Sequence, residues 1–354
     1  MRDMTRPQRF FPPASTYLHT EEDWRNARDG YRLFFEAFTD PDPPNYLSFD
    51  AFAYKHYAAP TRPSTNQVFA YKDGRPVATE WYLDLPTIHD GRTYACVHGG
   101  DVCATEEGRG LPFLKMHAAG ERLLKSLSYE LRVSAPNANS MKFIERFGGQ
   151  VLGDHRIATA GAERMRTRCA ELAASGVASQ ISFHDACPFV EDDYQRMNAA
   201  ALPIRSLRNA AYFAYRVDGL VERRFTYVLA RRESVPVGYL ILRWDARGRA
   251  TLFDWDLLTD DVADRQAVLA DMLLGASPLM ESLDVPQLCE ESGEVALFER
   301  CGFELLRDHE GSPLGDKFVV TAYDSDLDPA FFEIGSWRQR LIDKDYGLNA
   351  TRGY

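Results

Sequence analysis

The stretch from Cys96 to Gly149 reads CVHGGDVCATEEGRGLPFLKMHAAGERLLKSLSYELRVSAPNANSMKFIERFGG. An apolar strand runs into a glycine-containing turn and a helix. A second strand over Leu131–Ser134, an Asn-rich cap and a short helix over Asn139–Phe147 follow, and Gly148 and Gly149 stop the chain there. Phe113, Met116, Gly120, Leu123, Leu124 and Leu127 recur at helical spacing and mark the inward stripe of the first helix. Amides at a turn that opens a helix, with the positive end of the dipole behind them, form a site for phosphate. Gly108 and Gly110 permit close main-chain approach, Pro112 suits the first helical turn, and Arg109 offers a fork of donors to an anion. The bland alternative is a tight strand-to-helix turn with no ligand.

Working outward, residues 1–19 contain Pro7, Pro12 and Pro13 and read as an extended arm. Thr20 before Glu21, Glu22 and Asp23 opens a helix with acids at its positive end. Trp24, Ala27, Tyr31, Phe34 and Phe38 carry it to about Phe38, where Asp40-Pro41-Asp42-Pro43-Pro44 stops it. Phe49, Phe52 and Tyr54 belong to a short aromatic helix or turn. Lys72-Asp73-Gly74-Arg75 closes a hairpin between Gln67–Tyr71 and Pro76–Leu83, and a second turn near His89-Asp90-Gly91 leads into a strand over Tyr94–Cys103. Gln150–Ala158 is a further strand, Ala160–Ala174 an alanine-rich polar helix, and Val190, Tyr194 and Met197 mark a helix early in the second half.

The chain repeats itself. Phe52-Ala53-Tyr54-Lys55 returns as Phe213-Ala214-Tyr215-Arg216, and Pro76-Val77-Ala78 as Pro236-Val237-Gly238. Ile144-Glu145-Arg146-Phe147-Gly148 returns as Phe298-Glu299-Arg300-Cys301-Gly302. Three matches in one order at nearly one spacing make the chain two copies of an α+β unit. The division that follows is an arm over 1–19, a first copy over 20–158, a helical connector over 159–180, a second copy over 181–325 and a tail over 326–354.

A chain of 354 residues with 45% hydrophobic and 26% charged residues has enough apolar side chains for two full cores. A net charge of −11 argues against a nucleic-acid partner, because neutralising phosphates needs a basic face. No window approaches the roughly 18 apolar residues of a membrane span. The N-terminus has no apolar signal core, so the expectation is a cytoplasmic protein with no membrane partner. Six cysteines without a CxxC pair or Cys/His ligand spacing read as reduced thiols, with no metal site.

With these residues in view, the chain resembles the GNAT superfamily, the Gcn5-related N-acetyltransferases, in a tandem two-domain arrangement. The resemblance is carried by DVCATEEGRGLPF (Asp101–Phe113), APNANSMKFIERFGG (Ala135–Gly149) and, in the second copy, LFERCGF (Leu297–Phe303). It implies an α+β fold in which each copy is a mixed, mostly antiparallel sheet flanked by helices and splayed open between its fourth and fifth strands. It implies acetyl-CoA or another acyl-CoA as co-substrate in that splay, and transfer of the acyl group to an amine of a small molecule. The cofactor contacts it implies are the main chain of Val102 and Cys103, the turn Gly108, Arg109, Gly110 and Leu111, and Asn137 beside the pantetheine arm.

The chain also departs from the family pattern of Arg/Gln-x-x-Gly-x-Gly/Ala. Pro112 and Leu114 stand at the small positions in one register, and in the other Glu107 stands where Arg or Gln is expected, a carboxylate that would repel pyrophosphate. The tyrosine that often protonates the departing thiolate is Ile144 in the first copy and Phe298 in the second. The stretch Asp256–Asp264 of the second copy has no glycine and four carboxylates, so that copy reads as degenerate, either structural or a wall of the acceptor site.

Glu80, His98 and Asp101 are the base candidates on the strands. His98, beside Gly99-Gly100, lies where a bulge re-aims side chains toward the cleft, and its plain alternative is a hydrogen-bonded, half-buried histidine. Asp101 alternatively caps the turn, and Glu80 alternatively faces solvent on an alternating strand. Cys103 has no basic neighbour in sequence to activate it. Asn137, Asn139 and Ser140 could equally be helix caps. Tyr46, Phe49, Phe52, Tyr54 and Tyr57 lie where the family admits its acceptor, or else form core. Three functions stand side by side: an N-acyltransferase; a repurposed enzyme taking its acyl group from a carrier protein or aminoacyl-tRNA, or decarboxylating an acyl thioester; and a non-catalytic binding or scaffold protein. No spacing rule gives the acceptor or the oligomeric state.

Overall fold

Both residues of the Asp73-Gly74 turn have positive φ, 50° and 75°, which closes β1 (Gln67–Lys72) tightly onto β2 (Arg75–Asp84). The computed structural model describes residues 12–37, 48–60, 67–136, 138–174, 176–199, 203–219, 225–245, 248–259, 261–306, 317–338, 340 and 343. Before that hairpin come α1 (Glu21–Ala37) and α2 (Phe49–Tyr57). Thr20 and Asp23 cap α1 reciprocally, each side chain accepting from the other's amide. After it come β3 (Thr87–His89), β4 (Arg92–Tyr94), β5 (Cys96–Ala104), α3 (Leu111–Ser126), β6 (Leu131–Ser134), α4 (Ala138–Arg146) and β7 (Gln150–Asp154). The chain continues with β8 (Arg156–Gly161), α5 (Ala162–Ala173), β9 (Gln180–His184), α6 (Glu191–Ala199), β10 (Arg205–Ser206) and α7 (Ala210–Phe213), which runs on as a π turn over Ala214–Asp218. It ends with β11 (Phe225–Arg232), β12 (Val235–Trp244), β13 (Ala250–Leu257), α8 (Val262–Ala276), β14 (Ser282–Leu288), α9 (Glu294–Arg300), β15 (Glu304–Leu305) and β16 (Lys317–Ala322).

Two large sheets carry the fold. One has the order β1-β2-β5-β6-β16-β7 and the other β9-β11-β12-β13-β14-β8-β15. Each is antiparallel except at one pair, β5–β6 in the first and β13–β14 in the second. The copies exchange a strand. After β7 the chain leaves the first sheet at His155 and enters the second as β8, between β14 and β15. After β15 it returns as β16, between β6 and β7 of the first sheet. The single strand expected over 150–158 is therefore two strands in different sheets. The stretch 159–180, expected as a connector, supplies the end of β8 and α5, whose Met165 and Cys169 are buried in the second copy's core. The strand expected over Tyr94–Cys103 likewise breaks at Ala95, whose carbonyl and amide are both taken by Glu130.

The repeated tetrapeptides sit where the copies meet. Tyr54 and Tyr215 stack with ring centroids 5.6 Å apart. The Tyr54 hydroxyl donates to the Tyr215 carbonyl, and the Tyr215 hydroxyl donates to the carbonyl of Lys55. One core runs through this junction, from Phe52 and Trp81 to Phe213, Tyr227 and Tyr239. On the opposite face of the first sheet, Leu124 of α3 packs with Tyr82, Val97 and Tyr129. No helix among the described residues is long and apolar enough to cross a membrane.

Candidate functional site

β5 follows β2 in register as far as Gly100, which pairs with Trp81. The next pair is Cys103 with Thr79, so Asp101 and Val102 together oppose Glu80. That two-against-one arrangement is a bulge, a step beyond the His98–Gly100 position expected from sequence. On its other edge β5 pairs with β6 only from Cys96 to Gly99, and the two strands then part. The main chain from Gly100 to Ala104 is left with an edge free of β6, the kind of edge with which the amides of an extended ligand pair.

The turn after β5 is built from glycine where nothing else fits. A Cβ on Gly108 would lie 2.0 Å from the Val77 carbonyl oxygen. Gly110 caps α3 with φ 75° and ψ −126° and makes no side-chain cap, so the first amides of the helix keep their donor capacity. Arg109 and Leu111 beside it are exposed. Glu107 points back to the β1–β2 hairpin, 3.3 Å from the Lys72 ammonium and 3.7 Å from the Arg75 guanidinium. The carboxylate that seemed hostile to phosphate is thus turned toward two cations of its own.

Glu80 lies under α3 and is fully buried. His117 Nδ1 is 2.6 Å from its Oε2, and Arg132 Nη1 is 3.5 Å from its Oε1. Arg132 also pairs with Glu121 at 2.5 Å, one turn along α3 from His117. Burial by itself would raise the Glu80 carboxyl; the hydrogen bond with His117 and the charge of Arg132 outweigh it and leave the group below the usual carboxylate range. The solvent-facing alternative for Glu80 is corrected accordingly: this residue anchors the helix to the sheet. Phe143 and Phe147 of α4 meet the His117 ring edge-on, which ties α4 to the same point.

His98 is 4% exposed, more deeply buried than the half-buried alternative supposed. Cys96 belongs to the core shared with α2 and Val97 to the cluster under α3, so alternation turns His98 toward the α2 face. Val102 is half-buried and Cys103 buried. The Asp101 side chain and Asn137 lie outside the described residues. Of the aromatic cluster, Phe52, Tyr54 and Tyr57 are core and Phe49 packs against it, while Tyr46 is outside the described residues. His117 and Arg132 escaped the sequence reading. Their signal was present in the His117/Glu121 spacing and in a charge set mid-strand between Leu131 and Val133.

No protein-family model and no curated protein matches the sequence. Solved structures do match in three dimensions. A GCN5-related N-acetyltransferase from Anabaena variabilis superposes with a TM-score of 0.58 at 10% identity, over 86% of this chain and 71% of that one. A probable N-acyltransferase from Enterococcus faecalis gives 0.58 at 15% identity, over 84% and 70%, and Eis1 from Mycobacterium abscessus gives 0.53 at 12%, over 87% and 72%. The fold is that of the GCN5-related N-acetyltransferases.

In this fold the parallel pair parts in both copies, and the helix that follows starts differently in each. Where α3 of the first copy opens on an uncapped glycine, α8 of the second opens on Asp261, whose Oδ1 accepts from the Asp264 amide at 2.8 Å. Asp264 in turn binds Thr259 and Arg232, at 2.7 and 2.6 Å. The second GNAT copy has thus satisfied its helix terminus with its own carboxylate. The missing tyrosines are replaced by packing: Ile144 and Phe298 are both buried. Among the described residues no group of three His, Cys, Asp or Glu side chains is placed to hold a metal.

Proposed function

We propose that the protein is an acyl-CoA-dependent N-acyltransferase acting on a small-molecule amine, with its donor site in the first copy. The observation that carries this reading is the uncapped N-terminus of α3 at Gly110, which follows the stretch of β5 from Gly100 to Ala104 that β6 leaves. Donors arranged in this way suit a pyrophosphate joined to an extended amide arm. The amides of Gly108 to Leu111 and the Arg109 guanidinium take the phosphates, with Asn137 on the pantetheine side. The bulged main chain at Val102 and Cys103 donates to the thioester carbonyl as it gains charge. His98 is the base of this reading, with Asp101 as its alternative, and Glu80 positions α3. The amine nitrogen forms the new C–N bond, the C–S bond breaks, and the amine's proton passes to the base and from it to the departing thiolate, which leaves as the thiol.

Isothermal titration with acetyl-CoA and longer acyl-CoAs tests the reading, and the expected result is saturable binding of at least one of them. Absence of binding to all of them sinks it. Buried Ile144 in the place of the usual acid favours one second reading, a protein that binds acyl-CoA without transferring it. Release of CoA on incubation with a panel of small amines separates the two.

A further inference from the structure

The second cleft holds a part of the chain itself. Matching β2 to β12 by their turns sets Thr79 against Tyr239, so Cys103 of β5 corresponds to Asp256 of β13, and Val102 to Trp255. β13 and β14 pair only at Ala250–Leu283 and Thr251–Asp284 and then part, as β5 and β6 do. Into that gap come two arginines from the C-terminal segment. Arg338 pairs with the Asp256 carboxylate, which Arg205 also holds. Arg340 donates from Nε to the Trp255 carbonyl at 3.4 Å and from Nη2 to Glu294 at 2.6 Å, with its guanidinium 4.0 Å from the centroid of the Trp255 indole. Arg340 is 2% exposed, and Asp256 and Glu294 are 3% exposed. The segment is fixed by main-chain bonds on both sides of Trp337, from the Ile204 amide to the Ser336 carbonyl at 2.7 Å and from the Arg338 amide to the Ile204 carbonyl at 2.8 Å.

We propose that Arg338 and Arg340 are a resident intramolecular ligand of the second cleft, so that each chain takes a single acyl-CoA. The donor of the first copy would meet the stretch of β5 that β6 leaves after Gly99; at the same level of the second copy the carbonyl of Trp255 has Arg340 as its donor. The two guanidinium groups also neutralise Asp256 and Glu294, the carboxylates that make this cleft unfit for a polyanion. A segment that reaches 204–206 is also tied to the first copy, because Arg205 and Ser206 pair with Ile88 and Thr87 of β3. The plug therefore clamps the β3–β4 hairpin to the second sheet.

The stoichiometry of this proposal rests on the acyltransferase reading, and the occupancy of the cleft does not. Titration of the full chain with acetyl-CoA is expected to give one site. In Arg340→Ala, hydrogen exchange of the Asp254–Leu257 amides is expected to rise at least tenfold while the affinity of the one site stays within twofold. Arg340→Lys keeps the charge and loses the fork. It is expected to melt cooperatively and to show a smaller rise confined to the same amides, which separates an opened cleft from global unfolding. Two acetyl-CoA sites in the wild type, or unchanged exchange in both variants, would overturn the proposal. If the wild type binds no acyl-CoA, the acyltransferase reading fails, and the exchange measurement still decides whether the arginines seal the cleft.

Discussion

β16 belongs to the last part of the chain, yet it is an interior strand of the first sheet. Val320 pairs with Val133 of β6 on one side and Gln150 of β7 on the other, and Phe318, Val319 and Val320 have no exposed surface. Val320→Ala removes two methyl groups, about 1.5 kcal/mol of transfer energy, and with the cavity left behind the cost is roughly 2–3 kcal/mol. At 2–4 °C per kcal/mol for a protein of this general size, the melting temperature should fall by roughly 4–12 °C. Hydrogen exchange should place the loss in β6 and β7, which lie in the first copy, and leave β13 and α8 unchanged. Removing the strand is more severe. Three fully buried side chains at about 1.5–3 kcal/mol each amount to roughly 5–9 kcal/mol, comparable to the whole stability of an ordinary domain. A fragment covering residues 1–161, expressed alone, would lack β16 and leave β8 without its sheet. It should give no cooperative melt by circular dichroism and no dispersed amide spectrum. A cooperative, native-like fragment would refute the argument that the exchanged strands make the copies interdependent.

Gly110→Ala meets nothing within 4 Å, so its cost is conformational, about 1–3 kcal/mol, and acetyl-CoA affinity by calorimetry should fall at least tenfold. Asp261→Ala, its counterpart at α8, should cost about 1 kcal/mol in urea unfolding and leave that affinity unchanged. Tyr54→Phe and Tyr215→Phe each remove one buried hydrogen bond, at roughly 0.5–1.5 kcal/mol; because their rings stack, a double-mutant cycle by urea unfolding should show coupling of at least 0.5 kcal/mol. Glu80, Asp256 and Asp343 are buried, which raises them, but their cationic and hydrogen-bonding partners leave each below its ordinary value. Their contribution is full above the unfolded carboxylate value near pH 4 and is lost as pH falls through the folded value. Glu80→Gln should therefore flatten the acid limb of stability measured by urea unfolding between pH 3 and 6.

The hairpin at Asp73-Gly74, the capped start of α1, and the strand, turn and helix around Gly110 were legible because each is set by a few neighbouring residues. The tandem repeat was legible too, since Phe-Ala-Tyr-Lys and Phe-Ala-Tyr-Arg carry the same contact from both sides. The strand exchange was not. Gln150–Ala158 has the pattern of one strand, and nothing local marks His155 as the point where it changes sheets; only pairing with Val285 and Val319 decides that. The turn before α3 was legible as main chain, and the side-chain contacts around it were not. Glycine records what the Gly108–Gly110 turn needs, whereas Glu80 stood as a base candidate or an outward residue because its partners, His117 and Arg132, lie 37 and 52 residues away.

The positions that stayed alike and those that diverged divide along one line. Tyr54 and Tyr215 carry out the same contact in both directions, and β8 and β16 are exchanged in the same way. Each of these lies where one copy supports the other, so a change in either would weaken both sheets. Gly110 against Asp261, and Cys103 against Asp256, lie instead where the parallel strand pair of each copy has parted. None of these four residues belongs to the packed apolar clusters. A second cleft could therefore fill with carboxylates and then with the arginines that neutralise them while the sheet around it kept its order, because the first copy needs that sheet to receive β8 and to return β16. On this argument the second copy is retained for the strand it supplies and the face it packs.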